Sequence, residues 1–71
     1  MDKISIENSI NNYVNYSINL AKREKLIKIA QLCYLDKLSV SQISGQTQLS
    51  ANRVTLLLNL ATTILKRSGV L

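Results

Sequence analysis

The side chains able to do chemistry are few, and most are of one kind. Histidine is absent, and the four acids, Asp2, Glu7, Glu24 and Asp36, are spread along the chain. Their spacing offers no paired carboxylates for general acid–base work. Cys33 is the only thiol. It lies in an apolar stretch and reads as a buried structural cysteine, not a nucleophile. One cysteine without histidine cannot assemble a zinc site. Neither a Walker loop nor a G-x-G-x-x-G is present. The expectation is therefore a protein that is not an enzyme and takes no cofactor or metal. What remains is positive charge: nine Lys and Arg against four Asp and Glu, a formal net charge of +5 and a pI near 9.7. That balance falls in the range of nucleic-acid-binding domains, although a merely basic protein would share it.

The charge is clustered. Lys22, Arg23, Glu24 and Lys25 form a run, with Lys28 one turn on, and Lys66 and Arg67 form a pair near the end. Such a run is commonly just a solvated face. Beside a nucleic-acid-binding unit the same residues would contact phosphates, so the segment C-terminal to the run decides between the two.

Leu38 to Arg67 has the layout of a short helix, a tight turn and a long helix. Ser39 and Gln42 form an S-x-x-Q capping box, in which the hydroxyl takes a free backbone N–H and the amide reaches back to the cap. Val40, Ile43 and Thr47 then fall on one helical face. Gly45 is expected to interrupt this helix, and Gln48-Leu49 leads to a second cap at Ser50. From Ala51 to Arg67 nothing breaks a helix, and Gly69 stands where a left-handed terminal residue is common.

The elements before it are helical as well. Proline is absent and there are two glycines, Gly45 and Gly69, which favours an all-helical chain. Ile6, Ile10, Tyr13, Val14 and Ile18 recur at steps of three and four, the mark of an amphipathic helix, with Asp2 or Ser5 as its cap. Its outer face is asparagine-rich, a weak helix former that needs a packing partner. A frayed arm is the alternative. Leu26, Ile29, Ala30, Cys33 and Tyr34 make the face of a second helix, widened by Ile27, Leu32 and Leu35. Tyr34 reads as a core residue with its hydroxyl at the rim. The basic run is either a bend between these helices or the first turn of the second.

From Tyr34 to Lys66 the chain resembles, without gaps, the C-terminal DNA-binding region of sigma factors, region four. The residues carrying the likeness are Leu38-Ser39, Ile43, Leu49-Ser50 and Val54, with Leu58, Ala61 and Leu65 continuing the core stripe. LuxR-type effector domains are similar over the same span, and Ile64-Leu65-Lys66-Arg67-Ser68-Gly69-Val70 resembles their ending, although Val54 stands nearly one turn further from it. A weaker likeness runs to PapB-type fimbrial regulators. The likeness covers about half the chain. It implies DNA binding, with the last helix in the major groove. The early exposed positions Ala51, Asn52, Arg53, Thr55, Leu56 and Asn59 would then face the bases. Arginine suits guanine O6 and N7, and asparagine suits adenine N6 and N7. Thr55 would meet a phosphate or a thymine methyl.

The chain departs from these families where they carry several basic residues along the last helix and it carries leucine. At about 100° per residue, Leu56, Leu60, Ile64, Leu57, Ala61, Val54, Leu65 and Leu58 cover an arc of roughly 200°. An ordinary core-facing stripe needs only about 100°. Two explanations are open: a homodimer seam through Leu56, Leu57, Leu60 and Ile64, or an apolar flank that grips another protein. A third is that the N-terminal helix folds back over Leu56 and Leu60.

The expectation is one all-α domain over residues 1–71, with 1–22 as an N-terminal helix or arm and 23–71 as the helix-turn-helix core. Its four helices lie near 4–21, 24–36, 39–47 and 51–67. A core this small is marginal and gains from burial against a second copy. The expected function is that of a small bacterial-type transcriptional regulator binding double-stranded DNA as a homodimer, with RNA polymerase or another regulator as a further partner. Asn52, Arg53, Thr55 and Asn59 would read bases, while Lys22, Arg23, Lys25, Lys28, Lys66 and Arg67 would hold phosphates. The alternative is a protein-interaction module, an anti-activator or polymerase-binding factor, on the same frame without DNA contact. The polar start of the chain reads as no secretory signal. The most apolar run, Val54 to Leu65, falls short of the about 20 residues a membrane span needs. With one thiol, the cytoplasm is the expected compartment.

Overall fold

The computed structural model describes residues 2–13 and 20–71. Four helices follow one another, α1 (Lys3–Tyr13), α2 (Leu20–Tyr34), α3 (Val40–Thr47) and α4 (Ala51–Arg67), with no strand among the described residues. The fold class is all-α, as the patterning predicts.

α1 starts where Asp2 caps it. The Ser5 N–H donates to Asp2 Oδ1 at 2.7 Å, and this backbone hydrogen bond, ahead of the one from the Ser5 side chain, holds the Asp2 carboxyl below its ordinary 3.8. Ile6 and Ile10 are fully buried, the two positions expected of an amphipathic helix. Of the expected extension to residue 21, positions 14–19, with Val14 and Ile18, lie outside the described residues, and Leu20 and Ala21 belong to α2. Tyr13, also expected on the apolar face, is instead half exposed.

Within the described residues α2 runs from Leu20, so the basic run lies inside a helix and is not a bend. Lys, Arg and Glu are good helix formers, and nothing in the run stops propagation. Leu26, Ile29, Ala30 and Leu32 are its buried face. Cys33 and Tyr34 are half-buried and pack against the core. Tyr34 Oη shares a hydrogen bond with Thr62 Oγ1 of α4, which keeps the hydroxyl satisfied at the rim. The helix ends through Lys37, which takes a left-handed φ of 59°. Leu38 N–H reaches back to the Leu32 carbonyl at 3.0 Å.

The two caps expected from sequence are present. Gln42 N–H donates to Ser39 Oγ at 3.2 Å, and Ser39 N–H to Gln42 Oε1 at 2.9 Å. Arg53 N–H donates to Ser50 Oγ at 3.1 Å. The expected interruption at Gly45 is not found, because α3 runs through it to Thr47. One glycine costs a helix about 1 kcal/mol relative to alanine, which the capping box and the buried Ile43 offset. The stop comes at Gln48, whose φ is 61° and whose N–H meets the Ser44 carbonyl at 2.9 Å. α4 closes on Gly69 with φ 77°. Gly69 N–H meets the Lys66 carbonyl at 3.2 Å and Val70 N–H the Leu65 carbonyl at 3.0 Å, the paired bonds of a Schellman ending.

α4 packs against all three other helices. Val54, Leu57, Ala61, Ile64 and Leu65 meet Ile6, Ile10, the α2 face and Ile43 in one cluster. No helix among the described residues is long and apolar enough to cross a membrane.

Candidate nucleic-acid interface

The exposed surface of α4 is set by which of its residues the core takes. At about 100° per residue, the five buried side chains of α4 span roughly 100°, the width of an ordinary core stripe. Opposite them stand Asn52, Thr55, Asn59, Thr63 and Lys66, all exposed. Arg53 is also exposed but sits at the flank, on the edge it shares with Leu56, Leu60 and Arg67. Of the expected base readers, then, Asn52, Thr55 and Asn59 share one face, and Arg53 leans toward the leucines. Residues 37–71 contain no acidic side chain, and the first turn of α4 carries none to oppose an approaching anion.

The broad leucine arc narrows once the fold is assembled. Leu57 is 3% exposed and Ile64 0%. The sequence places both at a seam with a second chain, yet both belong to the chain's own core, because α1, α2 and α3 already cover that side of α4. Leu60 is half-buried against the core. Leu56 alone on α4 remains a strongly exposed leucine, at 64%. α1 does pack on α4, but it leaves Leu56 open, so the fold-back of the N-terminal helix covers less than that reading requires. Single exposed leucines are ordinary on a monomer, so the case for an intermolecular contact rests on Leu56 and the outer part of Leu60.

The expected phosphate contacts fall into two groups. Lys22, Lys25 and Lys28 are exposed along α2, and Arg23 is half-buried. Lys25 and Lys28 reach the turn that leads into α4, where they line a pocket of about 260 Å³ with Ile29, Gln46, Thr47 and Leu49. Lys66 and Arg67 stand at the far end of α4, about 20 Å along the axis from Arg53. Arg67 is not simply a free cation. Its Nη1 donates to Tyr13 Oη at 3.0 Å, and its guanidinium carbon lies 6.0 Å from the centre of the Tyr13 ring, at the outer limit of a cation–π contact. This contact ties the end of α1 to the end of α4 and accounts for the exposed placement of Tyr13. Neither it nor the pocket is signalled by local spacing, since both depend on residues far apart in sequence.

No family model matches the chain, and no curated protein or solved structure matches it.

Proposed function

We propose that this chain binds double-stranded DNA as a small transcriptional regulator, using α3, the turn and α4 as a helix-turn-helix. The N-terminal half of α4 enters the major groove. Asn52, Thr55 and Asn59 face the bases, and Arg53 reaches them from the flank. Lys22, Lys25, Lys28 and Lys66 hold phosphates, and Arg23 and Arg67 reinforce them from more constrained positions. The observation that supports this most is the outer face of α4: polar and uncharged from Asn52 to Thr63, basic at Lys66 and free of acids. Base edges are read by amides and guanidiniums, and the helix is held by a core that leaves this face untouched.

The chain acts as a homodimer, with Leu56 and Leu60 as the contact. Leu56 also favours a second reading, in which the same flank docks RNA polymerase or another regulator and no DNA is touched. Mobility-shift titration on genomic fragments, with solution mass measured in parallel, separates the two. DNA binding with a dimer mass supports the first. A stable protein partner captured through Leu56, with no shift of any fragment, supports the second.

A further inference from the structure

We propose that the pocket between α2 and the α3–α4 turn binds a small organic anion with a short apolar tail, such as an alkyl carboxylate. The proposal does not depend on DNA binding. The lining divides in two. Lys25 and Lys28 stand one turn apart on α2, both exposed, and neither has an ion-pair partner among the described residues. Against them lie the buried Ile29 and the half-buried Leu49. Thr47 adds to the apolar part, because its hydroxyl is spent on the Ile43 carbonyl at 2.7 Å. Gln46, exposed, adds an amide to the lining.

This lining selects among ligands. A cation is repelled by both lysines. An inorganic anion gains the lysines but leaves Ile29 and Leu49 unused, and exposed ammonium groups alone hold an ion weakly. A neutral apolar molecule leaves the two charges unanswered. An amphipathic anion uses both halves. The volume of about 260 Å³ lies just below the about 300–1,000 Å³ of drug-sized sites, so the ligand is small. Orientation is set by α3, whose C-terminal end carries partial negative charge. The head group therefore lies toward Lys25 and Lys28, with the tail toward Leu49.

The test is an NMR titration of the full 71-residue chain with sodium hexanoate, and separately with acetate, inorganic phosphate and hexanol. Hexanoate is expected to shift the amides of residues 25–29 and 46–49 saturably, half-complete at about 10 mM or below, with the other three at least about tenfold weaker. Lys25→Gln with Lys28→Gln, both at exposed positions, should weaken hexanoate by about tenfold and leave the response to hexanol unchanged. The proposal is overturned if hexanoate does not saturate, if the shifts lie elsewhere, if phosphate or hexanol binds as well as hexanoate, or if the double variant binds hexanoate normally.

Discussion

Arg53→Ala is the sharpest single perturbation of the proposed DNA contact. Arg53 is exposed, and its backbone N–H, held by Ser50 Oγ at 3.1 Å, does not depend on the side chain. Truncation leaves the cap intact and puts a better helix former in place, so unfolding free energy should move by no more than about 0.5 kcal/mol. The effect on DNA is separate. A guanidinium paired to a guanine edge contributes about 1–3 kcal/mol of discrimination, or roughly 5- to 150-fold in affinity for the preferred site. The flank position of Arg53 allows a phosphate contact instead. In that case the loss is similar on every sequence, and the salt slope falls by about 1. Arg53→Lys tells the two apart, because a lysine keeps the charge and loses the bidentate fork. The assay is fluorescence anisotropy on a selected site and on a scrambled duplex, with urea unfolding as the control. Unchanged affinity on both duplexes, with stability also unchanged, would remove Arg53 from the interface.

Other perturbations test the same geometry. Leu56→Glu, at a position 64% exposed, should leave monomer stability within about 0.5 kcal/mol and abolish any dimer seen by light scattering; a persisting dimer would place the contact elsewhere. Leu57→Ala, at 3% exposure, should instead cost about 2–5 kcal/mol in chemical unfolding, and a cost below about 1 kcal/mol would contradict its place in the core. Gly45→Ala meets nothing within 4 Å and should stabilise by about 0.5–1 kcal/mol, whereas Gly69→Ala, forced to keep a φ of 77°, should destabilise by more, about 1–2 kcal/mol; thermal unfolding reads both. The Asp2 carboxyl is held below 3.8 by its bonds from Ser5. Its cap on α1 is therefore fully present above that pH and is lost as pH falls through the lowered value. Asp2→Asn, still a good cap, should flatten this acid-side change in the helical circular dichroism signal.

What is legible in the sequence is what is local. The starts of α3 and α4 and the end of α4 come from Ser39, Gln42, Ser50 and Gly69, each acting within four residues of itself, and the structure has them where the pattern places them. Ile6, Ile10, Leu26 and Ile29 are legible for the same reason, since helical spacing names a face. Four things are not. The helical state of the basic run is hidden because its residues are at once good helix formers and a plausible solvated bend. The left-handed turns at Lys37 and Gln48 carry no signature residue; neither is glycine or asparagine. The width of α4's apolar arc shows that Leu57 and Ile64 want cover but not whose. Only the assembled fold shows that the chain covers them itself and leaves Leu56 outside. Tyr13 and Arg67 meet across 54 residues, beyond any local pattern.

The DNA reading stands on the outer face of α4 and the lysines of α2 meeting one duplex. Its most direct test is an equilibrium titration against pooled genomic DNA fragments at low and fourfold higher salt. With Lys22, Lys25, Lys28 and Lys66 on phosphates, the log–log salt slope should be about −3.6, so affinity should fall by about two orders of magnitude between roughly 50 and 200 mM. A chain that ignores duplex DNA at the lower salt, or binds it equally well at both, would contradict the account.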